Sequence, residues 1–207
     1  MPLPLPLRAA TIGTAMLALG GCTALDSFTA STRPLDTYEL TPATTDAPGR
    51  GLGPNVYVEE PAGSGAIATD RIAVKPDALQ VRYLPDGRWA DPATEHVQLL
   101  LVRSLAATGR FGVVTGQTGG PIPDWVLVSD LQDFHARLGP EGEGASATVT
   151  LRLSAIRDAD RQAVASRVFT RTATAASTAT NDLVASFDAA LGAVLSDAAA
   201  WAVTTMR

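Results

Sequence analysis

The sequence predicts an α+β fold, a single domain in which one β-sheet, mainly antiparallel or else mixed, carries two long helices packed on it. Three observations predict it. Ala147 to Ile156 alternates strictly: Val149, Leu151, Leu153 and Ala155 are apolar, while Thr148, Thr150, Arg152 and Ser154 are polar, the period of a half-buried strand. Asp158 to Gln162 makes a turn, and Ala163 to Ala175 returns as an antiparallel partner. Leu183, Phe187, Ala190, Leu191, Val194, Ala198 and Trp201 then recur at helical spacing within residues 181–203, with Thr180 or Asn181 as the cap. There is no internal repeat.

The first segment of the 207-residue chain carries one charge, Arg8, and then an uncharged apolar run up to Leu19-Gly20-Gly21-Cys22. That order is an export signal, too short to span a bilayer as a stable helix. Its last four positions match the lipobox of bacterial lipoprotein precursors, in which the cysteine thiol takes a diacylglyceryl group and cleavage occurs just before it. The alternative is an ordinary cleaved signal followed by a free thiol, and Cys22 is the only cysteine, with nothing to pair with. The expected organisation is a signal peptide over 1–21, an acylated cysteine and polar tether over 22–36, and one domain over 37–207. Loss of 1–21 leaves 15 Lys+Arg against 21 Asp+Glu, a formal charge of −6, which argues against nucleic acid or an anionic lipid surface as partner. Acyl chains hold a protein at a membrane without a basic patch, at ~0.8 kcal/mol per buried methylene.

The elements follow in order. Tyr38-Glu39-Leu40 is a brief extended segment, and Asn55 to Glu60 alternates as a strand with Val56 and Val58 on one side. Arg71–Val74 and Leu79–Leu84 read as strands separated by a turn at Lys75-Pro76-Asp77, and Pro85-Asp86-Gly87 carries the chemistry of a second turn. A helix starts at Trp89-Ala90-Asp91-Pro92, with Asp91 as N-cap and Pro92 in the first helical position. Val97, Leu100, Leu101, Ser104 and Leu105 share its inner face, and Gly109 ends it. Phe111 to Thr115 is a strand, and Trp125 to Leu138 is another, buried in its first half. Gly139 to Gly144 is an exposed acidic turn. In the last helix Asp182, Asp188 and Asp197 stand on the polar side without a lysine, so its stripe is core and not a membrane-active surface.

Catalytic and metal chemistry fail by inventory. His96, expected on the exposed side of the first helix, and His135, near a strand end, lack ligand spacing, and no cysteine remains to complete a zinc site. Ser64 sits in a flexible GSG loop and not in a nucleophile elbow. The glycines of Thr115 to Pro121 lack the Lys-Ser/Thr of a phosphate loop and lead into Pro-Ile-Pro, so no helix start meets a phosphate. Glu59-Glu60 and Glu141 with Glu143 read as solvated charge, with weak calcium binding as the remote alternative. No cofactor is expected beyond the covalent lipid on Cys22.

The order of features, a lipobox, Tyr38-Glu39-Leu40, a Val-x-Val strand ending at Pro61, and Ala68 to Asp91 reading ATDRIAVKPDALQVRYLPDGRWAD, resembles the ABC-type transport auxiliary lipoproteins, the PqiC-like family. Asp70-Arg71-Ile72 and Arg88-Trp89-Ala90-Asp91 sit where that family carries them, and the similarity runs from about Tyr38 to about Trp201. As family signatures Asp70, Arg71, Arg88, Trp89 and Asp91 are structural or interface residues. Trp89 can pack back onto the helix as a hydrophobic staple, and Arg71 or Arg88 can pair with Asp70, Asp86 or Asp91.

The resemblance implies a periplasmic protein lipid-anchored at the outer membrane, without enzymatic activity. It would be an accessory or docking subunit of a PqiABC-like transport system that moves lipid with a mammalian-cell-entry (MCE) protein bridging the periplasm, and a homo-oligomer. Thr23 stands after the cysteine where Asp would signal inner-membrane retention. A lipoprotein regulator of a peptidoglycan synthase is the alternative, and a lipid-anchored hydrolase has the least support. Any lipid-contact surface is expected among exposed apolar residues near Val56 to Ala68 and Ile122 to Trp125, although Trp125 reads equally well as core.

Overall fold

Along the chain, a computed structural model describing residues 34–44, 49, 53–139 and 144–207, the elements are β1 (Asp36–Tyr38), β2 (Val56–Val58), β3 (Ala62–Gly63), β4 (Arg71–Val74), β5 (Arg82–Trp89), α1 (Ala93–Ala107), β6 (Val114–Thr115), β7 (Trp125–Leu138), β8 (Ala145–Arg157), β9 (Gln162–Ala175) and α2 (Thr180–Thr205). Cys22, Glu141 and Glu143 lie outside the described residues. Leu35–Arg207 forms one unit.

The sheet is built around β7. One side of β7 pairs antiparallel with β8 along its length, and β9 continues antiparallel beyond β8. The other side is met by three parallel partners in succession, β2 at Trp125–Leu127, β3 at Asp130–Leu131 and β4 at Ala136. Parallel β6 lies beyond β2, antiparallel β5 beyond β4, and β1 parallel to β5. The nine strands are therefore mixed, and the fold is α+β with α1 and α2 as its two long helices.

The hairpin of β8 and β9 forms as its alternation dictates. Val149, Leu151, Leu153 and Ala155 are fully buried, while Thr148 with Thr172, Thr150 with Thr170, and Ser154 with Ser166 form hydroxyl pairs across the opposite face. Leu183, Phe187, Ala190, Leu191, Val194 and Ala198 of α2 are buried against this sheet, and Trp201 meets Phe169 of β9 edge-on at 5.9 Å. By length and a mean hydropathy of 1.5, α2 could cross a membrane, but its stripe belongs to the core. The cap lies just before the expected Thr180 or Asn181: Ala179 is the N-cap, and Ser177 Oγ accepts from the Ala179 N–H and donates to Asp182.

Several expectations are corrected. Pro85-Asp86-Gly87 does not turn the chain, because β5 runs through it to Trp89. Ala73 pairs with Tyr83 and Arg71 with Arg88, so the segment bulges from the β4 ladder, a position that tolerates proline. Gly87 is needed for close approach: a Cβ there would lie 2.9 Å from both Thr180 Cγ2 and Tyr38 Cε2. Helix α1 is capped at Pro92 and not at Asp91. The Pro92 carbonyl accepts from His96 N–H at 2.9 Å, and Thr69 O takes the Ala93 N–H at 3.1 Å, so a neighbouring backbone does what the carboxylate was expected to do. The far end holds: Gly109 adopts φ +58° just after the Thr108 cap. Strand β7 is buried in its second half too, where Phe134, His135 and Ala136 are covered. The first strand lies at Asp36–Tyr38, ahead of the predicted Tyr38–Leu40, and of Phe111 to Thr115 only Val114–Thr115 pairs, with Phe111 in the core.

Candidate functional site

The signature residues converge where β4, β5 and α1 meet. Trp89 N–H donates to Asp70 O at 2.7 Å, fixing the end of β5 to the start of β4. The Trp89 indole is 1% exposed and lies 5.5 Å from the Phe134 ring and 5.2 Å from that of Phe187, with His96 edge-on at 6.5 Å. It thus packs back on α1 as the staple reading requires, and it also joins β7 and α2. Arg88 pairs with Asp70 at 3.5 Å, both side chains well exposed. Arg71 has no ion-pair partner among the described residues; its guanidinium lies over the Tyr83 ring at 5.2 Å. Asp86 accepts from Thr180 Oγ1 at 2.7 Å, and Asp91 stands exposed at the entry to α1.

His96 is buried, at 5% exposure, and not on an exposed helix face. What covers it is Trp89 and a strap, Asp36 to Ala43, that crosses both helices. Leu40 N–H donates to His96 Nε2 at 3.2 Å, which leaves the ring proton on Nδ1 in the neutral form. Tyr38 OH donates to Asn181, Thr41 N–H and Oγ1 to Asp188, and Ala43 N–H to Ser104 Oγ. Burial pushes the His96 imidazole below its ordinary value, against the upward pull of Asp91 and Glu39. The strap partners carry no local sequence signal, since Thr41 and Asp188 are 147 positions apart.

His135 is buried as well, with Asp133 Oδ1 at 3.6 Å from its Nδ1 and the Lys75 ammonium at 3.6 Å from the same oxygen; burial and then Lys75 hold the ring below its ordinary value. Among the described residues no three His, Cys, Asp or Glu side chains gather as a metal group would require. The surface offers open clefts. One of about 330 Å³ lies between β2, β6 and the 117–123 loop, lined by Tyr57, Val113, Thr115 and Ile122. One of about 480 Å³ lies on the other side of Ile122, beside Trp125 and Arg157. Of the expected apolar contacts, Val56 and Val58 are core, Trp125 is core under Arg157, and Ile122 stands 84% exposed between the two clefts. This arrangement suits contact with a partner or an apolar chain.

Solved structures share this fold. The chain is similar in structure to protein XCC0632 from Xanthomonas campestris, with 24% identity, a TM-score of 0.74, and coverage of 84% of this chain and 96% of that one. It is also similar to an uncharacterized protein of known structure at 16% identity and a TM-score of 0.62, over 84% of this chain and 100% of that one. None of the curated proteins matches. A family model described as the ABC-type transport auxiliary lipoprotein component matches residues 38–199.

Proposed function

The chain belongs to the ABC-type transport auxiliary lipoprotein family, and from that premise we propose that it is a non-catalytic docking subunit of an MCE-type lipid transporter, anchored in the outer membrane and facing the periplasm. One observation carries the reading: the match spans residues 38–199, from β1 into the last turns of α2, so the whole domain and not one motif is shared. Acyl chains on Cys22 supply the anchor, and Thr23 behind it favours outward sorting. Copies associate with one another, and the domain meets the far end of an MCE bridge. The exposed apolar ground around Ile122 is where a lipid would be handed over.

The test is capture of the tagged, lipid-anchored chain from native membranes solubilised in mild detergent. An MCE-domain protein should co-purify with it. Its clean loss under these conditions sinks the proposal, and a penicillin-binding protein in its place would make the chain a regulator of wall synthesis. Labelled palmitate should enter the wild type and not the Cys22→Ser variant; label that survives the substitution removes the anchor.

A further inference from the structure

Strand β9 forms one margin of the sheet and pairs with β8 alone. It is 14 residues long, most of them exposed, and its backbone groups on the side away from β8 have no strand partner among the described residues. Long edges of this kind are templates for another strand, and proteins usually blunt them with lysine, proline or coverage. Strand β9 has no lysine and no proline; Val164 and Val168 stand 44% and 43% exposed on it. Its only charges are Arg167 and Arg171.

The opposite margin is acidic. Strand β1 pairs with β5 alone, and Asp36 and Glu39 are exposed there. Alternation settles which face each charge occupies. Arg167 pairs with Leu153 and sits two residues from Phe169, whose ring meets Trp201 of α2, so Arg167 is on the helix-bearing face. Asp36 pairs with Gly87 and lies two residues from Tyr38, whose hydroxyl reaches Asn181 of α2, so Asp36 is on that same face. The nearest cation to β1, Arg88, points to the other face, where its Nε donates to Thr37 Oγ1 at 3.4 Å. Arg171 is engaged by Asp197, whereas Arg167, its guanidinium over the Phe169 ring at 5.3 Å, has no carboxylate partner among the described residues.

We propose that β9 of one copy continues its sheet into β1 of a second copy, with Arg167 facing Asp36 across the junction. A two-fold pairing of β9 with itself centred on Phe169 would set Arg167 against Arg171, other registers would leave Arg167 without a carboxylate, and like charges directly opposite are destabilising. The contact is therefore heterologous, with different surfaces on the two copies. It rests on the reading that copies self-associate, and it names the surface.

Sedimentation of the full lipid-anchored chain in detergent, over a dilution series, tests it. Arg167→Glu and Asp36→Arg should each weaken association by roughly tenfold or more, and the two together should recover it. Val168→Lys, at a position already exposed, should weaken it without touching either charge. Thermal unfolding of each variant controls for folding. Unchanged association in both Arg167→Glu and Val168→Lys, or no recovery in the double variant, overturns the assignment while leaving self-association standing. A wild type that stays monomeric throughout overturns both, and capture of an MCE protein reports separately on the transport reading.

Discussion

The backbone N–H of Leu40 donates to Nε2 of His96 at 3.2 Å, joining the segment that enters the domain to the middle of the core across 56 positions of sequence. Nε2 accepts only while it is unprotonated, so the entry of the chain into the domain is coupled to the charge of one buried ring. Burial holds His96 and His135 below the ordinary value of 6.5. Between 6.5 and the depressed folded value the unfolded chain carries a proton that the folded one does not, so stability falls as pH falls through that window. Each histidine adds at most about 1.4 kcal/mol per pH unit. Thermal unfolding should therefore move to lower temperature on going below pH 6.5, and His96→Gln, which keeps an acceptor for Leu40 without a titrating ring, should shallow the slope. Protection of the Leu40 amide from hydrogen exchange, taken relative to the intrinsic rate at each pH, should fall over the same range in the wild type only.

Trp89→Ala removes the ring on which Phe134, Phe187 and His96 all rest. A vacated site of that size in a close-packed core costs about 3–5 kcal/mol. Denaturant unfolding should show a loss in this range, and Trp89→Phe should cost clearly less because most of the contact surface returns. A loss below about 1 kcal/mol for the alanine variant would mean that the junction is not the hub described.

Two glycines should respond in opposite directions. At Gly87 an added Cβ meets Thr180 Cγ2 and Tyr38 Cε2 at 2.9 Å, so Gly87→Ala must push aside the Thr180 and Tyr38 side chains, an overpacking cost of about 1–3 kcal/mol. At Gly192, inside α2, nothing lies within 4 Å of the added atom. Gly192→Ala should then stabilise by about 0.5–1 kcal/mol through helix propensity alone. Paired unfolding curves for the two variants would check both signs.

What was legible in the sequence was what neighbours in sequence determine. The β8 and β9 alternation and the α2 stripe specify their own elements because burial follows a short period, and Gly109 specifies its own helix end. The misreadings came from distant partners. Asp91 is a good cap by type, but Thr69 O reaches the helix start first, and His96 lies off the inner stripe until the Leu40 strap closes over it. Pro85-Asp86-Gly87 has turn chemistry, yet pairing of Gly87 with Asp36 keeps it in the sheet. The contact of Trp89 with Asp70, His96, Phe134 and Phe187 depends on a fold no local pattern encodes.

Stability and recognition are separable at one exposed ion pair. Arg88 and Asp70 form an ion pair at 3.5 Å with side chains 49% and 39% exposed, and such a pair is worth about 0–1 kcal/mol once solvent screening is counted. Asp70→Asn should therefore leave the unfolding midpoint nearly unchanged, and raising the salt concentration should remove what small difference there is. If the exposed members of the signature contact the bridge protein, the same variant should reduce capture of that protein severalfold, since a charge at a rim governs encounter more than folding. Loss of several kcal/mol of stability in Asp70→Asn would instead assign the pair to the fold. Unchanged stability with unchanged capture would show that this ion pair serves neither.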